Sequence, residues 1–565
     1  MEMAKLIIDD TEIDSLVWDA IEAEKEILSF ESYLTLFASP LHEIQACKSL
    51  DQLIHKDLDD SESLISLKIL TALEKMAAQN NPKANFYLGK FLRQNQSDFD
   101  GWSKAFKAYS IAGLNGDSRA YHNIAAAYQN GWGPELDLQK AFEYYEKAYQ
   151  AFPDSLTTWA LARMYIHGSG VELDIQKGIS LLMTEIEAGD YQLQALWGSM
   201  LRNGDGIPVN REEGWQHLLD ACEHGDEYAQ RTVGYCYEYG YGVDKDAKKA
   251  FDLYKLAAEQ GSNDAQESLG GLYLMGEGVK KDGAEGIKWL KIAAFNGSGD
   301  AANKLGITYV NGIDSIPNAS EAAIWFKYAI EKGNKFALWR LADLYDEGNG
   351  VPLNPQKANE LHLRAAKNGH AESQFKIGLR HWSGDNLAKD LHQARKWISV
   401  SALQGFSRAQ VALGDFYAQG IECEQNIDTA FDWFKRAASQ GDILGMERLG
   451  YAYLFGRGVE IDYAEAINWL LQSAERGSPD ANFYIGEMLR RGVGVQKDAG
   501  KASSWMLASA EKDYAPAQYE LGRMYAEGEG LEVNFEEAEK WIKKAADQDN
   551  EDAKKWLLEQ LKIVS

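Results

Sequence analysis

Four of the ten histidines, His362, His370, His381 and His392, lie close together and are the first candidates for chemistry. Imidazoles that share a metal from one helix sit three or four residues apart. The spacings here are 8, 11 and 11, so no two fall on one helical turn and no metal ligand is assigned. The cysteines Cys47, Cys222, Cys236 and Cys423 are too few and too scattered in 565 residues for a disulfide framework. They read as free thiols, with Cys222 and Cys236 as small core residues. Gly-x-Gly pairs recur, as at Gly168/Gly170 and Gly456/Gly458. A phosphate loop needs a strand before its glycines; here each pair follows a helical pattern and reads as a turn. There is no Walker A loop, His-Glu-x-x-His, Gly-x-Ser-x-Gly or Cys-x-x-Cys. No catalytic, cofactor-binding or metal residue emerges, so the expectation is a non-enzyme without cofactor. A metal-dependent hydrolase remains the alternative of another class.

Charge narrows the partners. Acidic residues outnumber basic ones 86 to 58, a formal net charge of -28. A nucleic-acid binder needs cations to neutralise phosphates, and an anionic membrane surface makes the same demand. Both are set aside. The first residues are acidic rather than basic, and no apolar run approaches the ~20 residues that span a bilayer. The expected location is therefore the cytoplasm.

The elements that would position any site repeat every 36 residues. A small residue, usually following Leu, marks each unit: Gly89, Ala125, Ala162, Gly198, Gly234, Gly270, Gly306, Ala342, Gly378, Gly414, Gly450, Gly486 and Gly522. Every step is 36 except that from Ala125 to Ala162, which is 37. Separate globular domains would not hold this register, whereas stacked units do. In the unit Asn263–Ser298, Ala265, Leu269, Gly270 and Tyr273 form one helical stripe. Gly276 and Gly278 break the chain, Ile287, Trp289, Leu290, Ala293 and Ala294 form a second stripe, and Gly297 ends it. Each unit reads as a helical hairpin. The small residue at the mark implies close approach of a helix, and the Trp nineteen residues later (Trp289, Trp325, Trp397, Trp433, Trp469, Trp505, Trp541) reads as the complementary bulk.

These units resemble Sel1-like repeats, relatives of the tetratricopeptide repeat. The phrase A-x-x-x-L-G-x-x-Y-x-x-G-x-G-V is nearly complete at Ala265–Val279, Ala229–Val243 and Ala481–Val495, and continues in Ala430–Trp433 and Ala437–Ala438. The resemblance implies an all-α, right-handed superhelical α/α solenoid of about thirteen 36-residue hairpins over residues 81–550. It also implies an adaptor or scaffold role in multiprotein complexes, often in bacteria. Residues 1–80 are expected to form an acidic helical cap or small domain with a degenerate half repeat at its end; they hold 17 acidic and 6 basic residues, and Ile13–Leu28 is amphipathic. Residues 551–565 read as a capping helix. Some units depart from the pattern. Gly384-Asp385-Asn386 and Gly420-Ile421-Glu422 lack the second turn glycine, and Glu185-Ile186 replaces the usual Ala-Ala, which predicts looser packing.

In such a solenoid the first helices line the concave face, and positions -6, -3, +1, +4 and +5 from the mark point into it. They hold Phe336, Trp339, Asp343, Asp346 and Glu347; then Glu372, Phe375, Leu379, Trp382 and Ser383; and, two units on, Leu444, Glu447, Tyr451, Leu454 and Phe455. Aromatics flanked by acids suit a protein-recognition groove. The assigned partner-binding residues are Trp339, Asp343, Asp346, Phe375, Leu379, Trp382, Tyr451 and Phe455, with Tyr239 as an outlier of the same kind. The acidic balance predicts a protein or peptide partner of basic or mixed charge. An inhibitor or immunity protein that blocks a toxin or enzyme is the alternative.

Overall fold

The computed structural model describes residues 73–564 apart from 76, 79, 96–98 and 313–316. Ile13–Leu28 and Cys47 lie outside these. Every regular element among the described residues is a helix. The chain divides into two compact units, Met1–Pro317 and Asn318–Ser565.

The hairpin at Asn263–Met275 and Gly283–Phe295 shows how sequence sets the pattern. Gly276 closes the first helix in the left-handed region at φ 75°, donating its N–H to Leu272 O, and Gly278 takes φ 71° in the turn. Asp282 caps the second helix by accepting from Glu285 N–H. Gly297 then reverses the chain at φ 96°. Where the second turn glycine is missing, Asn386 and Glu422 adopt φ 57° and 53° themselves.

The mark glycines admit a specific neighbour. A Cβ on Gly270 would lie 2.8 Å from Leu290 Cγ, and one on Gly414 would lie 2.5 Å from Phe434 Cε1. The partner is therefore the residue twenty positions after the mark, on the second helix of the same hairpin, and not the Trp at position nineteen. That expectation is corrected. Most of those tryptophans are only half-buried, because a helix turns about 100° per residue and carries them off the line that points at the mark. Trp433 and Trp469 pack at the edges of clusters that join adjoining units.

Units are clamped to each other by buried amides four residues before the mark. Gln266 donates to Ala258 O of the preceding second helix (3.2 Å) and accepts from Asn296 at the end of its own (3.2 Å). Gln374, Gln410 and Gln518 repeat both bonds, on Ala366, Ala402 and Ala510 and from Gln404, Gln440 and Gln548. The helix Ile175–Glu187 buries only Gly178 and Leu182, with Glu185 and Ile186 partly exposed, as the loss of Ala-Ala predicts. At the other end, Ala553, Trp556 and Leu557 of Glu551–Val564 rest on Ile542 and Ala545.

Candidate partner-binding surface

The assigned residues sit on first helices of Asn318–Ser565. In Ala337–Glu347, Leu338, Leu341, Ala342 and Leu344 are buried, which leaves Trp339, Asp343 and Asp346 on the flank that meets the next unit. Trp339 stacks on His370 with ring centroids 4.9 Å apart and planes 7° from parallel, and the Arg340 guanidinium lies 4.3 Å above its ring. His370 in turn caps Ala371–Ser383: its Nδ1 accepts from Ser373 N–H at 3.2 Å. Burial pulls the His370 pKa down, consistent with a neutral ring that keeps this lone pair.

Asp343 and Asp346 face cations from the next first helix. Lys376 Nζ reaches Asp343 Oδ1 at 2.5 Å and Arg380 Nη2 reaches Asp346 Oδ2 at 2.5 Å. From below comes His362, 1% exposed, with Nε2 at 3.1 Å from Asp346 and 3.4 Å from Asp343, and Nδ1 at 3.0 Å from Ser373 Oγ. Arg380 also donates to Asn359. Burial opposes ionisation of both aspartates, but bonds from His362, Lys376 and Arg380 outweigh it and hold both carboxyls below their ordinary value.

Asp343, Asp346 and His362 offer three ligand atoms within 4.8 Å of one another. The histidine spacing did not anticipate this group, since its carboxylates come from another helix. An ammonium and a guanidinium already neutralise those carboxylates, and a metal would have to displace them. The set is an ion network, which a half-buried pair of acids needs in any case.

Further along the chain the same face becomes more apolar. Phe375 meets Phe406 at 5.4 Å, Leu379 is exposed, and Trp382 packs edge-on against Phe416 at 4.9 Å. Trp382 is thus half-buried and ties two units together, whereas the sequence places it free in a groove: Phe416, on the next first helix, stands against it. Asp415 pairs with Arg448 at 3.1 Å. Tyr451 lies on Tyr484 at 4.5 Å, and Phe455 remains 50% exposed with the Arg457 guanidinium 5.6 Å above it. Two expected groove positions are instead inside. Leu454 is a core residue, and Glu447, 4% exposed, accepts from the Ser478 hydroxyl that caps the next first helix. Burial raises the Glu447 pKa. Burial, then the Glu447 charge, drives the Tyr451 phenol far above its ordinary value, and its hydroxyl makes no hydrogen bond.

Sequence reasoning missed Lys376, Arg380 and Asn359 and weighed His362 only as a metal ligand, although the repeat encodes its role. Where the residue at +20 is polar, its +4 partner in the same unit is polar as well. Tyr145 donates to Gln129 (2.9 Å), Tyr254 donates to Glu238 (2.6 Å) and His362 meets Asp346. A polar residue at a position otherwise held by Leu, Ile, Phe or Met was the available signal.

Consecutive antiparallel hairpins, glycine-marked crossings and amide clamps define an α/α repeat protein of the solenoid class. The chain belongs to the Sel1 repeat family: the Sel1 repeat model matches twelve segments, 118–151, 157–182, 193–226 and nine contiguous repeats from 227 to 550. The hairpin at Pro82–Asn95 and Phe99–Leu114 lies outside the match yet has the same construction, with the Tyr109 ring 2.8 Å from a Cβ built on Gly89. Among solved structures, the chain is similar to c5321, a protective antigen of uropathogenic Escherichia coli with an SLR fold. The two are 27% identical, with a TM-score of 0.59 over 79% of this chain and 88% of that one. A Sel1 repeat protein from Oxalobacter formigenes is 28% identical over 61% of this chain and 89% of its own, with a TM-score of 0.37. The immunity protein Pa5087 from Pseudomonas aeruginosa is 20% identical over 38% and 81%, with a TM-score of 0.26. A search of curated proteins returns no match. No described helix is long and apolar enough to cross a membrane.

Proposed function

We propose that the protein is a non-enzymatic scaffold that binds a protein or peptide segment of basic or mixed charge on the first-helix face between Phe336 and Phe455. One observation carries this reading: three of the four hairpins between Phe336 and Phe455 keep large apolar side chains of this face in water. Phe336 is 67% exposed, Leu444 51% and Phe455 50%, with Leu379 beside them, and none of these rings and chains is needed by the core of its own hairpin. Interface energy concentrates in such side chains, and the half-buried Trp339, Phe375, Trp382 and Tyr451 between them supply a rigid floor. The exposed Glu347 and the chain's net charge of -28 favour encounter with cationic surfaces and work against nucleic acid. The ion network commits the cluster's carboxylates to structure, so recognition rather than hydrolysis is the chemistry left to this face.

The experiment is to identify a partner by affinity capture from native lysate with the full chain, and then to titrate it against Phe336→Ser with Phe455→Ser. Both residues are exposed, so helical circular dichroism should remain at the wild-type level while affinity falls at least tenfold, about 1.4 kcal/mol. Unchanged affinity moves the site off this face.

A further inference from the structure

Met1–Pro317 carries a second exposed aromatic surface that its own fold does not use. Tyr235, Tyr239 and Tyr241 stand together at the end of Glu227–Tyr239, with ring centroids 4.7, 5.6 and 6.0 Å apart and each ring about half in water. The buried tyrosine of this hairpin is Tyr254, so the exposed three do not fill its core. On the next first helix, Asn263–Met275, the residue equivalent to Tyr239 is Met275, 69% exposed, and the residue equivalent to Tyr235 is Gly271.

Gly271 is the informative residue. Its neighbour Gly270 makes room for Leu290, but a Cβ on Gly271 would meet nothing within 4 Å. Its φ does not lie in the left-handed region. A glycine inside a helix loses stability relative to alanine, and neither packing nor backbone geometry explains it here. One repeat after the tyrosine platform, the register position that Tyr235 fills is thus bare backbone, which suits close approach of another chain. The surroundings are acidic. Glu238 lies between the tyrosines in sequence and Glu277 is exposed in the adjoining turn; burial, then a hydrogen bond with Glu238 and its charge, with a smaller contribution from Glu277, push the Tyr239 pKa up to about 12. The Arg202 guanidinium is engaged with Tyr241 O at 3.1 Å and Cys236 Sγ at 3.0 Å.

We propose that this surface is a second docking site, for an extended, arginine-bearing segment of a protein partner. A guanidinium lies flat on the tyrosine rings, Glu238 and Glu277 face its charge, and the segment's backbone passes over Gly271. Arginine suits the platform better than lysine because its planar, weakly hydrated cation stacks on rings, whereas an ammonium does not. This goes beyond the first surface, which lies in the other compact unit.

The test compares fluorescein-labelled nona-arginine and nona-lysine binding to the full chain by fluorescence anisotropy at 0.15 M salt. The two peptides carry the same charge, so the general acidity of the protein treats them alike. Wild type should bind nona-arginine at least tenfold more tightly. Tyr239→Ala with Tyr241→Ala should abolish that preference while nona-lysine binding stays unchanged. Gly271→Leu should also weaken nona-arginine binding severalfold, and should raise the thermal midpoint, since the helix gains a better former and a Cβ at that position meets nothing within 4 Å. Equal affinity for the two peptides overturns the proposal, as does a preference that survives both sets of substitutions. Loss of the preference in Phe336→Ser with Phe455→Ser, but not in the tyrosine variant, also overturns it and assigns arginine recognition to the first surface.

Discussion

Asp346 and Glu447 are both carboxylates held where one repeat meets the next, and their pKa values move in opposite directions. Asp346 has Arg380 on the following first helix and His362 beneath it; Glu447 has the hydroxyl of Ser478 as its bonded partner. Burial acts on both in the same sense. The outcome depends on whether the adjoining repeat brings a full positive charge or only a hydroxyl dipole, because a dipole does not offset the loss of hydration of an ionised group. A solenoid can thus favour the ionised form of an acid at one interface and, three units on, the protonated form of another.

The comparison breaks most sharply if Arg380 is removed. Arg380→Met should leave Asp346 facing His362 alone and cost about 2 kcal/mol, less than the ~3–5 kcal/mol of a fully buried pair, because the Asp346 side chain keeps 21% exposure. Urea unfolding of the full chain should show the loss, and hydrogen exchange should place it in Ala337–Ser383. An unchanged midpoint would mean that the ion pair contributes nothing. The pH dependence should then separate the two sites. Asp343 and Asp346 have folded pKa values below the ordinary 3.8, so their contribution is complete above that value and lost as pH falls below it. Glu447 has a folded pKa above the ordinary 4.5, so its contribution is complete below 4.5 and lost as pH rises through the raised value. Exchange protection, corrected for intrinsic rates, should fall for Ala337–Glu347 towards pH 3 and for Ile443–Phe455 towards neutral pH; a common direction would refute the contrast. The smallest effect is expected for Glu447→Gln, which keeps an acceptor for Ser478 and removes the charge. It should stabilise the chain by a few tenths to about 1 kcal/mol at pH 7 and by less at pH 4, measured as a shift in the urea midpoint.

Much of this fold is legible because each residue of the pattern answers a local demand. The turn glycines need positive φ, and the mark needs the absence of a side chain. Even the assignment of bulk to Trp289 or Trp433 failed by a single residue, since adjacent helical positions point about 100° apart and only Leu290 or Phe434 faces the mark. The surface was harder to read. Asp343 finds Lys376, Asp415 finds Arg448 and Tyr451 finds Tyr484, each 33 residues later. Such pairs join two repeats, so exposure judged one hairpin at a time places Trp382 and Glu447 outside when the next hairpin covers them. The same register that reveals the repeats contains these contacts, but only if position +1 of one unit is compared with position -2 of the next.

The glutamine clamps have a consequence at the level of the gene. Each joins a side chain to the carbonyl that ends the preceding hairpin and to the amide that ends its own. Excision of the cassette from 371 to 406 would bring Gln410 to Ala366 O, the carbonyl that Gln374 now uses, while the Gln440 bond stays as it is. The junction would regenerate the donors and acceptors that it lost. Loss or duplication of whole cassettes by unequal recombination therefore leaves these amide clamps chemically complete, and the length of such a chain can drift between lineages without a redesign of its interior.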